Sequence, residues 1–79
     1  MKIFLFAQAR SLAGRPVIDL PLHTTLSQPD FWTRLLLAHP TLAPLQKTSR
    51  LARDEAYLTP EETLHPHDEI ALIPPVSGG

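Results

Sequence analysis

The residues best placed to do chemistry stand at the end of the chain. Gly78 and Gly79 close a sequence of 79 residues that holds only one other glycine, Gly14. At an average glycine usage of ~7%, two terminal glycines arise by chance about once in 200 chains, so the pair invites an explanation. Lacking side chains, they let the tip enter a channel only as wide as a backbone. Upstream, Pro74 and Pro75 have no N–H with which to fold back and hold an extended polyproline geometry. With Val76, Ser77 and the two glycines they give a six-residue tail that reaches ~18–20 Å beyond its anchor. What such a tip delivers is the α-carboxylate of Gly79, ionised at neutral pH and a poor electrophile. Activated by another enzyme, for example by adenylation, it accepts sulfur to give a thiocarboxylate, or an amine to give an isopeptide bond. Either way the chain is a carried substrate, not a catalyst.

Other chemistry is sparse. The absence of cysteine excludes a disulfide framework, a thiolate zinc site, an iron–sulfur cluster and a cysteine nucleophile. Of four histidines only His65 and His67 cluster, beside Asp68 and Glu69. Two imidazoles and a carboxylate can ligate a metal, but the intervening Pro66 and the strand starting at Asp68 favour a polar turn. No metal site is expected. His39 sits where a helix C-terminus favours a cation. Ser11, Ser27, Ser49 and Ser77 have no His/Asp arrangement near them in sequence. No glycine-rich phosphate loop exists, since Gly14 is the only glycine before position 78.

The length suits one domain, and area scaling lets roughly 63% of the chain's surface be buried on folding, enough for one thin core. A hydrophobic fraction of 43% with 19% charged residues describes a globular chain. The net charge of −1 argues against a nucleic-acid partner. The charges are divided: seven bases and two acids in residues 1–53, six acids and no base in 54–79. Uneven charge can steer a partner where folding does not interleave the two halves. Ile3-Phe4-Leu5-Phe6-Ala7 is short for a signal-peptide core, and no apolar run approaches a membrane span. A cytoplasmic location and no membrane contact are expected.

The elements that position the tail follow from periodicity. Met1 to Ala9 reads as a strand, with Ile3, Leu5 and Ala7 on one face and Lys2, Phe4, Phe6 and Gln8 on the other. Arg10 to Arg15 suggests a short helical turn closed by Gly14, and Pro16–Leu20 a second strand, antiparallel to the first. Ser27-Gln28-Pro29-Asp30 opens the main helix, with Phe31, Leu35 and Ala38 on one face and Trp32 and Leu36 beside them. The helix ends at His39-Pro40. Pro40 to Arg50 is a connection with about one helical turn. Leu51–Arg53 and Tyr57–Leu58 read as short strands around an Asp54-Glu55 turn. Thr59-Pro60-Glu61-Glu62 opens a helical turn, and Asp68 to Ile73 is the last strand, with Ile70 and Leu72 opposite Glu69, Ala71 and Ile73. Parallel pairing of the first and last strands, with the main helix as crossover, yields an α+β fold. That layout is a β-grasp, or ubiquitin-like, mixed sheet over one helix in residues 1–73, followed by an extended Gly-Gly tail in 74–79.

The ending Asp68-Glu69-Ile70-Ala71-Leu72-Ile73-Pro74-Pro75-Val76-Ser77-Gly78-Gly79 closely resembles the small subunit of molybdopterin synthase. So does the opening Ile3-Phe4-Leu5-Phe6-Ala7-Gln8-Ala9-Arg10, followed by Leu12 and Gly14. The resemblance covers nearly the whole chain; the family often has Asn where Asp54 stands and Gly where His67 stands. It implies a β-grasp sulfur carrier whose Gly79 is adenylated by a ubiquitin-activating-like adenylyltransferase that uses ATP. A sulfur donor enzyme then makes the thiocarboxylate (1-thioglycine), and the chain itself binds no cofactor. The tail, Pro74 to Gly79, inserts into the large synthase subunit, where two sulfur donations build the molybdopterin dithiolene. The family complex is a heterotetramer of two small and two large subunits. Phe6, Ile73 and Tyr57 are expected to pack on the large subunit from the outer face near the tail root. A bare Gly-Gly also fits the thiamine or tRNA-thiolation sulfur carriers, or a protein modifier.

Overall fold

The computed structural model describes residues 1–75; Val76, Ser77, Gly78 and Gly79 lie outside them. Five strands form one mixed sheet in the order β2-β1-β5-β3-β4. They are β1 (Lys2–Leu5), β2 (Val17–Asp19), β3 (Arg50–Arg53), β4 (Ala56–Tyr57) and β5 (Glu69–Ile73). The first and last strands pair in parallel, Lys2 opposite Glu69 and Leu5 opposite Leu72, and the other pairings are antiparallel. Parallel neighbours require a crossover. It is made by helix α2 (Gln28–Ala38) and the 3₁₀ segment Pro40–Leu45. This is the expected β-grasp.

Alternation decides which face is covered. Ile3, Leu5, Ile18, Ile70 and Leu72 all point to the helical side and are almost wholly buried. Phe31 and Leu35, one helical turn apart, meet them from α2, and Leu42 closes the layer from the 3₁₀ segment. The Phe31 and Trp32 rings meet edge-on at 6.0 Å. Ala38, expected on the buried face, is exposed in the last turn. Ser27 caps α2 as its sequence predicts: its side chain accepts from the Asp30 N–H at 3.3 Å.

Two expected elements differ. The first strand stops at Leu5, and residues 7–13 form helix α1 (Ala7–Ala13). Ala7, which strand alternation would face to the core, instead turns the chain with φ 48°, and its side chain is exposed. The helix wins because Ala, Gln, Arg and Leu are strong helix formers, and Ala9, Leu12 and Ala13 then share the inward face. Gly14 ends α1 in the left-handed conformation at φ 75°, as the closing glycine was expected to do. The second difference is at Thr59–Glu62, a hydrogen-bonded turn rather than a helical one. The Glu62 N–H donates to the Thr59 carbonyl at 3.0 Å, while the Glu62 carboxylate accepts from the Thr59 N–H at 2.7 Å. Pro60 and the reciprocal hydrogen bond complete the turn without a further helical residue.

Candidate functional site

The tail leaves from the middle of the sheet. Strand β5 is flanked by β1 and β3, so its C-terminal end is held by ladders on both sides. Leu72, directly before the last strand residue, is fully buried, and Pro74 is buried where Pro75 is exposed. The stem is therefore anchored up to Pro74. The remaining tail positions expected to act, Val76, Ser77, Gly78 and Gly79, fall outside the described residues.

Beside this root the uncovered face of the sheet forms a groove. Register places Phe4 opposite Ala71, Ala71 opposite Ala52, and Ala52 opposite Tyr57, which makes one row across four strands. Two alanines in the middle of that row leave a hollow between larger side chains, a groove of about 550 Å³. Phe6 and Ile73 border it at the tail end, and Asp54, Glu55 and Glu69 at the other. Phe6 and Tyr57 are 51% and 50% exposed, a large apolar area for so small a chain. Tyr57 is held in place by Arg50, whose guanidinium carbon lies 3.9 Å from the ring centroid. The structure thus brings together the three residues singled out from sequence: Phe6, Tyr57 and Ile73 line one groove. Sequence reasoning missed Phe4, Ala52 and Arg50. The outward parity of Phe4 was visible, but Ala52 and Arg50 acquire their place only through the β3–β5 register.

A polar network sets the start of β5. Arg53 donates from Nη1 to Asp68 Oδ2 at 2.7 Å and to the Thr63 carbonyl at 3.0 Å, and its Nη2 lies 3.6 Å from Glu62. The same Asp68 oxygen accepts the His65 N–H at 2.9 Å. Desolvation pushes the Asp68 carboxyl up, but the His65 N–H and then Arg53 outweigh it, and the pKa ends below its ordinary value. His65 and His67 belong to this turn: Asp68 N–H donates to the His65 carbonyl at 3.0 Å, and His65 Nδ1 meets Thr25 Oγ1 at 3.1 Å. His39 caps α2, its N–H donating to the Leu35 carbonyl at 2.8 Å.

A mixed sheet with its last strand in the centre and the main helix packed on one face defines the β-grasp, ubiquitin-like class. Within that class, residues 3–79 match the ThiS family, and the chain belongs to it. The molybdopterin synthase sulfur carrier subunit of Arabidopsis thaliana is 35% identical over 79 residues, covering 100% of this chain and 82% of that protein. Its counterpart in Chlamydomonas reinhardtii is 35% identical over 81 residues, covering 100% of this chain and 98% of that one. Among solved structures, SAMP1 from Haloferax volcanii superposes with a TM-score of 0.82 at 28% identity, covering 100% of this chain and 98% of that one. A second crystal structure of the H. volcanii small archaeal modifier protein 1 gives 0.77 at 24% identity, covering 96% and 97%; this one shows the fold alone.

Proposed function

We propose that this chain is the sulfur carrier subunit of a molybdopterin synthase. The observation that carries the reading is the Pro-Pro-Val-Ser-Gly-Gly stem continuing from the central strand β5, in a chain whose relatives of that name match it end to end. Gly79 is adenylated by an activating enzyme that uses ATP and releases pyrophosphate; sulfide-level sulfur from a donor enzyme then displaces AMP and leaves a thiocarboxylate. The chain binds no cofactor of its own; its modified terminus is the reagent. Pro74 to Gly79 enter the large subunit, and Phe6, Tyr57 and Ile73 pack against that subunit from the groove beside the root. Two small and two large subunits make the assembly, located in the cytoplasm.

The division of labour follows from chemistry. A carboxylate is ionised and unreactive, whereas a thiocarboxylate is a soft sulfur nucleophile that can be delivered down a backbone-wide channel. The reading is tested by combining the thiocarboxylated chain with the large subunit and a cyclic pterin monophosphate. Formation of a dithiolene is expected. Failure to bind the large subunit, with conjugates to lysines appearing instead in the presence of an activating enzyme and ATP, would reassign the chain to protein modification.

A further inference from the structure

Folding turns the division of charge along the sequence into a division of charge in space. The end of the sheet from which the tail leaves is built by three segments: 5–17, which joins β1 to β2, 39–51, which leads into β3, and 72–75. They carry Arg10, Arg15, Lys47 and Arg50 and no acidic residue. All four cations are exposed, and among the described residues none is in an ion pair. Their placement is fixed by register: Arg50 lies opposite Ile73, and Arg15 precedes Pro16, whose carbonyl accepts the Leu5 N–H at 2.8 Å. Arg10 rides on α1, directly after β1, and Lys47 follows the 3₁₀ segment that packs on α1.

The acids gather at the opposite end. Asp19 and Glu69 both flank Lys2 in the sheet, Asp54 and Glu55 form the β3–β4 turn, and Glu61, Glu62 and Asp68 lie in the loop before β5. Asp30 belongs to the same end, because Gln28 at the start of α2 donates to the Thr59 and Glu62 carbonyls. The length of β5 separates the two ends by about 13 Å, at ~3.3 Å per residue. That exceeds the Debye length of ~8 Å at physiological salt, so the two ends do not cancel one another for an approaching protein.

We propose that the cations around the tail root form a docking collar for an acidic rim on the large subunit, surrounding the channel that takes the tail. This rests on the function proposed above and adds the charge of the partner's surface. The collar orients the encounter tail first, since the acidic end is repelled by the same rim. A protein partner with carboxylates fits better than a polyanion such as DNA: the eight acids on this chain outnumber its bases, and the far end would repel an extended duplex. Steering of this kind raises association rates by ~10–10³-fold and acts mainly on kon, leaving koff to the groove contacts.

The test is stopped-flow association of the full chain with the large subunit at 50 mM and 500 mM salt. The double variant Arg15→Glu/Lys47→Glu is compared with Glu61→Lys, a single reversal at the far end. The double variant should lose about 10–100-fold in kon at low salt, with koff changed less than about threefold, and the gap should close at high salt. Glu61→Lys should associate within about twofold of the wild type or faster. Equal rates for wild type and double variant at low salt overturn the collar while leaving the sulfur-carrier reading intact. Absence of wild-type binding overturns both. A mixed-sequence 20-base-pair DNA duplex serves as a polyanion probe; wild-type binding abolished by the double reversal would overturn the protein-rim assignment.

Discussion

Phe6→Asp separates docking from folding at one position. Phe6 is the N-cap of α1, with extended φ/ψ of −124° and 154° and no side-chain capping bond. Aspartate is among the preferred residues there, because its carboxylate can accept from a free N–H of the first turn. The buried half of the ring, about 100 Å², is lost from the fold, which costs about 2.5 kcal/mol. The aspartate cap offsets about 1 kcal/mol of this, so the fold should lose about 1–2 kcal/mol and remain folded. Binding is another matter. A buried phenylalanine removes ~150–250 Å² from water, so the half still exposed corresponds to about 100 Å². At ~25 cal/mol per Å² that is about 2.5 kcal/mol available to a partner. Since about 1.4 kcal/mol is tenfold, Kd for the large subunit should rise by about 60-fold, and further if the aspartate is desolvated. Calorimetric titration measures Kd, and thermal unfolding of the same sample checks the fold. A folded variant that binds the large subunit like the wild type would refute the groove as the docking surface.

The remaining predictions concern the frame that holds the tail. Leu72→Ala removes a fully buried side chain from the central strand and should cost about 2–5 kcal/mol in chemical denaturation, because the surrounding core cannot close completely. Asp68→Ala breaks the ion pair with Arg53 and leaves the His65 N–H unmatched; with both side chains about one-fifth exposed, the loss should be about 1–3 kcal/mol. Because the folded state holds the Asp68 pKa below its ordinary 3.8, its contribution is fully present above that value and is lost as pH falls through the lower, folded value. Asp68→Asn should therefore flatten the acid limb of the stability profile, measured from pH 6 to 2, and an unchanged limb would count against the network. Glu55→Gly should raise stability by up to about 1 kcal/mol, since the residue is held at φ 66°, where a left-handed side chain costs about 1–2 kcal/mol against glycine's entropic penalty of about 0.5–1.

Most of the fold could be read from the sequence where periodicity and a terminating residue agree. The alternation through Ile70 and Leu72 identified the inward face of β5, and Ser27 with Pro29 marked the start of α2 to the residue. The Asp54-Glu55 turn was legible from the two short apolar runs around it, and the structure places both residues at positive φ, as a two-residue hairpin demands. Reading failed at residues 6–9, where Phe6, Ala7 and Ala9 continue an apolar pattern compatible with either period. The decisive contacts there, α1 against the 3₁₀ segment, are distant in sequence.

The candidate site divides in the same way. Phe6 and Ile73 were legible on the outward parity, Tyr57 was set beside them only through the family resemblance, and all three line one groove. The groove's floor was not, because an alanine announces nothing until its cross-strand neighbours are known; Ala52 and Ala71 matter only as a pair. The Arg53–Asp68 contact joins residues fifteen apart, on either side of a loop with no periodicity to read. The charge division was visible in the sequence, and whether the halves interleave was decided by topology: β1 and β5 run parallel, so the segments following them emerge at the same end.

The chemistry proposed for this protein resides in the main-chain terminus of Gly79. Intact mass spectrometry after incubation with an adenylating enzyme, ATP and a sulfur donor tests it most directly. The product should have one terminal carboxyl oxygen replaced by sulfur, and none should form when Gly79 is deleted. A wild-type mass that never changes under those conditions, or a Gly79-deleted chain that still acquires the sulfur, would contradict it.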